Sequence, residues 1–302
     1  MAKSDGAKRP LLPCSASQPA FVAGAGTVRL LSVNVWCHYF TALRSLVVPN
    51  LPGVLPMLPF GRRLDAIAEL VESTGADIVC CEELFLLRLG PFVLEGAWAR
   101  FAERMEAVGL IHRSDPRESL PWVFGQNSGL ALFSRWPLND IQSCAFSQSS
   151  EFFNRKGVIH ALVTPPNFPR PLALCATHLD KRASAAKRAQ FEQLGAVASA
   201  RLATEQPGPR AEALVLCGDF NAQPAESTEW KSLVGALQQG DIKKDIKKQP
   251  PSAEAVGFRA LNGWDSTSPA AAWPATHGQR TDDHVFLLTP LHSDGGQGRS
   301  PR

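Results

Sequence analysis

Apolar residues along the chain fall into short runs, and each run stops at a polar residue or a turn. The run TVRLLSVNVW (27–36) is rich in β-branched and apolar side chains and predicts a buried strand. ADIVCCEEL (76–84), GLALFSR (129–135), GVIHALV (157–163), PLALCATHL (171–179), EALVLCGDF (212–220) and DHVFLL (283–288) repeat the pattern. Two stretches between them change period. Leu64, Ile67, Ala68 and Val71 follow i, i+3, i+4, i+7 spacing, with Gly75 as a C-terminal stop. Phe191, Leu194, Ala198 and Leu202 mark one face of a second helix. Strands and helices mixed at this density predict an α/β or α+β domain whose sheet layers are covered by helices.

The remaining segments read as connections and tails. Residues 1–26 and 290–302 lack regular patterning and are expected to be disordered tails around one domain over 27–289. The segment 45–60 carries four prolines and cannot form a simple membrane-spanning helix. The tandem DIKKDIKK (241–248) reads as a solvated basic face, and FLLRLGPFVL (85–94) as an apolar loop. The N-terminal stretch has no continuous apolar core of the kind a secretory signal needs. The expected location is therefore intracellular, either cytoplasmic or at a membrane surface.

Composition narrows the class. The 44% hydrophobic fraction supports a real core and excludes disorder over most of the chain. A net charge of +3 is too weak to mark a general polyanion binder. Seven cysteines, an odd number with no Cys-x-x-Cys, read as reduced buried thiols rather than a zinc site or a disulfide framework.

Five polar clusters stand where apolar runs end: Asn34, Glu82–Glu83, Thr177–His178, Gly218-Asp219-Phe220-Asn221 and Asp282-Asp283-His284. Each alone has a bland reading, such as a turn, a solvated pair or a satisfied strand end. Together they combine hard oxygen ligands, suited to Mg²⁺ or Mn²⁺, with histidines able to move protons near neutral pH. That combination points to metal-assisted hydrolysis of a phosphate ester.

In order and spacing these motifs resemble the endonuclease/exonuclease/phosphatase superfamily. SVNVW carries Asn34, ADIVCCEEL carries Glu83, and NSGLALFSRWPL (127–138) is similar to the family's Gly-Leu-x-x-x-Ser-Arg strand. ATHLD carries His178, and LCGDFN carries Asp219 and Asn221. EFFNRKGVIHALV, with Lys156 and Gly157, resembles a segment of the neutral sphingomyelinases, as do the paired acids and the tryptophan two residues after Asn34. The resemblance implies a four-layer α/β/β/α, deoxyribonuclease-like fold: a two-layered β-sandwich flanked by helices. It implies Mg²⁺, with Mn²⁺ as a substitute, held by Glu83 with help from Asn34. His178 and Asn221 would donate hydrogen bonds to phosphate, Asp219 would orient or activate water, and Lys156 and Asn127 would bind substrate. Asp283 and His284 fall on the positions of the family's Arg-Ile-Asp-Tyr-like strand. The expected reaction cleaves sphingomyelin in a membrane surface to ceramide and phosphocholine. Apolar loops beside the cleft would suit such a lipid, with Trp98 or Trp122 at the interface.

One departure bears on activity. The family's terminal Ser-Asp-His is missing, since Ser293-Asp294 is followed by glycine. Three explanations stand: a truncated or divergent C-terminal end, His284 serving as base with Asp283 orienting it, or an inactive relative that still binds metal or phosphate. A nuclease or an inositol-phosphate phosphatase on the same fold is the alternative activity. The weak charge speaks against duplex nucleic acid as partner.

Overall fold

A computed structural model describes residues 20–23, 26–37, 60–151, 154–166, 168–182, 185–202, 211, 213–222, 256–260 and 283–290. The first sheet contains β1 (Ala20–Ala23), β2 (Gly26–Asn34), β3 (Ile78–Glu82), β6 (His112–Arg113) and β8 (Ala131–Ser134), in the order β1-β2-β3-β8-β6. The second contains β9 (Leu138–Ala145), β10 (Gly157–Val163), β11 (Leu172–His178), β12 (Ala213–Asp219), β13 (Val256–Ala260) and β14 (Asp283–Pro290), in the order β13-β14-β12-β11-β10-β9. A small third sheet is formed by β4 (Leu87–Leu89), β5 (Phe92–Leu94) and β7 (Phe124–Gln126), with β4 in the middle.

Each large sheet holds one parallel pair, β2 with β3 and β11 with β12. A parallel pair needs a long crossover. Helix α1 (Phe60–Thr74) lies within the first crossover and α3 (Ala185–Leu202) within the second. A further helix, α2 (Gly96–Ala107), packs beside α1. Alternation along the strands then builds three apolar layers. Leu31, Val33, Val79 and Cys81 face α1 and α2. Leu214, Leu216, Ala173 and Cys175 face α3 with Phe191 and Leu194. Leu30, Ile78, Cys80, Leu174, Ala176, Val215 and Cys217 fill the layer between the sheets. Both faces of the central strands are buried, which is why the sequence shows continuous apolar runs. The α/β/β/α architecture follows.

Several expectations change in detail. Among the described residues, regular structure already includes Ala20–Ala23, inside the stretch read as a tail, because β1 pairs antiparallel with β2. Residues 85–94 form a β-hairpin rather than a loop. Helix α2 was not part of the sequence pattern, yet it buries Ala97, Phe101, Ala102 and Met105 on one face. Trp98 packs partly buried against that core, with Arg113 over its ring. β14 pairs with both β12 and β13 and is an interior strand of its sheet. The cysteines described are free thiols, and all but Cys144 are buried. Burial pushes the Cys37 thiol up to about 12 and raises Cys81 and Cys175 as well. Residues 45–59 of the proline-rich segment and DIKKDIKK lie outside the described residues. No helix among the described residues is long and apolar enough to cross a membrane.

Candidate functional site

The site crowns the layer between the two sheets. On that face the strands run Leu30–Ser32–Asn34, Ile78–Cys80–Glu82, Leu174–Ala176–His178 and Val215–Cys217–Asp219. A period of two carries each strand from apolar packing to a polar last residue. The parallel registers set these ends level: Asn34 is opposite Glu82, and His178 is opposite Asp219.

Glu83 arrives by a different route. Glu82, on the inter-sheet face, is fully buried and accepts a 2.8 Å hydrogen bond from Ser32 Oγ. Strand alternation alone would send the next side chain toward the helices. Glu83 instead adopts φ 58°, a left-handed conformation that turns its carboxylate back into the cleft. Backbone hydrogen bonds hold the turn: Cys37 N–H to Glu83 O and Leu84 N–H to Gly129 O, each 2.9 Å. Gly129 itself has φ +69°, and a Cβ there would lie 2.8 Å from the Phe85 ring and 2.9 Å from the Glu83 Cα. Glycine is required at that close approach.

Ligand atoms of Glu83, His178 and Asp219 all lie within 4.8 Å of one another. His178 Nε2 is 3.8 Å from Glu83 Oε1 and 3.6 Å from Asp219 Oδ2. Lys156 Nζ donates to the same imidazole nitrogen at 2.7 Å, which places the neutral ring's proton on Nδ1. Lys156 is buried and also faces Glu151 at 3.5 Å. Asn34 Nδ2 donates to Asp219 Oδ2 at 3.3 Å, and Asn34 Oδ1 accepts from Trp36 N–H. Two carboxylates and an imidazole beside a buried ammonium form a pocket with excess negative charge. The two carboxylates are hard oxygen donors of the kind Mg²⁺ or Mn²⁺ takes, with the imidazole beside them.

Two predicted residues are hydrogen-bonded within the fold. Asn127 is fully buried, and its amide is spent on backbone: Oδ1 accepts from Leu86 and Gly129 N–H, while Nδ2 donates to Pro116 O. These bonds brace the connection around Glu83. Asn221 has φ 50°; its Nδ2 donates to Leu179 O and its N–H to Asp219 Oδ1. In this arrangement it orients the Asp219 carboxylate and closes the turn. Asp283 and His284 enter only by backbone register, opposite Asp219 and Gly218 in β14.

Sequence reasoning missed a supporting shell on α3. Lys187 donates to Asn221 O, and Gln190 Oε1 accepts from Asp180 N–H at 2.9 Å. Both residues are buried and continue the Phe191–Leu194 stripe toward the helix start, which was the available signal. Asp180 is fully buried and accepts from Ser149 Oγ and Ser150 N–H, tying down the segment that carries Glu151. Burial alone would raise its carboxyl, but hydrogen bonds involving Ser150, Gln190 and Ser149 hold it below the ordinary value. At the cleft rim, Arg63 sits 4.8 Å over the Trp36 ring and donates to Trp36 O.

A sequence model described as the Endonuclease/Exonuclease/phosphatase family matches residues 31–287. No curated protein sequence matches the chain. Among solved structures, a β toxin mutant from Staphylococcus aureus with bound magnesium ions is similar at 13% identity and TM-score 0.53, covering 87% of this chain and 99% of that one. The structure titled SmcL is similar at 14% identity and TM-score 0.52, with the same coverage. ANGEL2, a 2′,3′-cyclic phosphatase, is similar at 15% identity and TM-score 0.56, covering 93% of this chain and 84% of that one. At these identities the likeness establishes the fold.

Proposed function

Because the chain belongs to the endonuclease/exonuclease/phosphatase family, we propose that it is a divalent-metal-dependent phosphodiesterase of phospholipid headgroups, cleaving sphingomyelin to ceramide and phosphocholine. The observation that carries this reading is the convergence of Glu83, His178 and Asp219 from both sheets, with Lys156 against His178. Sphingomyelin is favoured by the Lys156-Gly157 segment and by Trp36 beside Asn34.

Glu83 would hold the metal, with help from Asn34. When bound, it would supply Lewis-acid polarisation of a phosphate oxygen. The chain's own groups do the rest. Lys156 offers an ammonium to a non-bridging oxygen, so charge building there meets a donor already in place. Asp219 is aimed by Asn221 N–H and Asn34, which leaves it placed to accept a proton from an attacking water. The proton that Lys156 Nζ directs at His178 Nε2 is placed to pass to the leaving ceramide oxygen. Water attacks phosphorus, the P–O bond to ceramide breaks, and the proton removed from water is balanced by the one delivered to the alkoxide.

Phosphocholine release from sphingomyelin vesicles, with Mg²⁺ and with chelator, tests the reading. Plasmid DNA, inositol phosphates and an Asp219→Ala protein serve as parallel arms. Metal-dependent release lost in the variant is the expected result. Turnover of DNA or inositol phosphates alone overturns the substrate, and no turnover with intact Mn²⁺ binding makes the chain a binding relative.

A further inference from the structure

The three-stranded sheet beside the site has a graded surface. Residues directly opposite in an antiparallel ladder share a face. The inner row is Leu94–Leu87–Gln126, in which Leu87 and Gln126 are fully buried. The outer row on the same face is Phe92–Leu89–Phe124, and Phe92 is 71% exposed. Beyond it stand Trp122, 91% exposed, and Val123, 65% exposed. Exposure rises outward from the site, so the outer end of the sheet is a solvent-facing apolar tip. Leu89, Gly90, Pro91, Phe92 and 122–124 carry no charge. The tip backbone is paired as well: Gly90 N–H donates to Val123 O at 2.9 Å. Such a tip enters an apolar phase without stranding polar groups.

The tip is fixed to the chemistry. β4 starts four residues after Glu83. Gln126, at the base of β7, donates to Asn154, and Asn154 donates to Glu151, which faces Lys156 and so His178. The charges at its base suit a lipid headgroup layer. Arg88, half-buried and on the other face of β4, is the charged residue of the three strands, and exposed Arg155 adjoins Asn154. Glu95, next after β5, is already paired with Arg117.

We propose that the projecting tip of the β4–β5–β7 sheet, led by Phe92 and Trp122, is a docking surface for a phospholipid bilayer, inserting into the interface and holding the cleft over the headgroups. The proposal rests on the phospholipid reading of the site for its choice of a bilayer. A tryptophan tip above a basic base is the arrangement that partitions into membrane interfaces.

The test is co-sedimentation of the full chain with phosphatidylcholine vesicles, with and without phosphatidylserine, comparing wild type with Phe92→Ser/Trp122→Ser. Binding weaker by about 10- to 100-fold in the variant is expected, with its Mn²⁺ affinity and melting temperature unchanged. Quenching by brominated lipids, compared between wild type and Trp122→Phe, reports insertion even if the double variant folds poorly. Equal vesicle binding by both proteins overturns the proposal. So does wild-type binding to no vesicle, or a lipid-free self-association that the double variant abolishes. Tip-dependent vesicle binding without sphingomyelin turnover leaves the docking surface standing and removes the substrate assignment.

Discussion

The two large sheets deliver site residues by different means. In the second sheet, His178 and Asp219 are the last residues of adjacent parallel strands and sit directly opposite each other. Their placement is a property of the ladder. In the first sheet the equivalent opposed pair is Asn34 and Glu82, yet Glu82 is sealed against Ser32. The carboxylate that reaches the cluster belongs to the next residue, through the left-handed turn at Glu83. One half of the site is therefore secured by a cooperative sheet, and the other by a few local contacts around one strained residue. The second kind is the more easily disturbed without unfolding the protein.

Breaking the ladder side has the largest expected effect. Gly218 has φ +130°, and a Cβ there would lie 2.0 Å from Thr177 O. Gly218→Val separates β11 from β12 and is expected to cost more than about 4 kcal/mol; a urea melt checks it. Next comes the chemistry alone. Asp219→Asn keeps the ladder, and phosphodiester turnover is expected to fall by about 10²–10³-fold with metal present. An unchanged rate would remove Asp219 from the reaction.

Gly129→Ala sharpens the contrast from the turn side. It is expected to cost about 1–3 kcal/mol while lowering Mn²⁺ affinity by about tenfold or more, because Glu83 is displaced and the second sheet stays intact. Stability loss with unchanged Mn²⁺ affinity would show that the turn does not set the ligand position.

The smallest effect lies away from both halves. Burial, with help from Arg201, pushes His160 down to about 4, against a partial opposing effect of Asp140. Its folded value is below its unfolded one, so the unfolded chain binds more protons between pH 6.5 and about 4. Stability is then full above pH 6.5 and is lost as pH falls, with a slope approaching about 1.4 kcal/mol per pH unit in mid-window. His160→Gln should flatten that part of the melting-temperature profile. An identical profile would assign the acid sensitivity elsewhere.

Legibility followed the same division. The ladder residues were readable because period-two apolar runs end in them: LCGDFN gives Asp219, and ATHLD gives His178. Glu83 was chosen over Glu82 by family resemblance, since propensity alone does not say which of two adjacent acids turns into a cleft. The burial of Asn127 was not legible because a buried amide and a substrate-facing amide look alike in sequence; its bonds to Leu86, Gly129 and Pro116 appear only in the folded chain. Helix α2 and the β4–β5 hairpin were hard to read for a related reason. Their apolar residues form one mixed stretch, and the third sheet is assembled by β7, some thirty residues further on.

The amino-acid sequence by itself determined the layered α/β class, the strands that end at the site and the acid–histidine chemistry collected there. These depend on local periodicity and on residue type, which a linear chain displays. Tertiary structure alone decided which acid faces the cluster, that Lys156 meets His178, and that α3 braces Asn221 and Asp180 through Lys187 and Gln190. Those facts arise from contacts between residues far apart in the chain, and packing selects them from several partners of equal local merit.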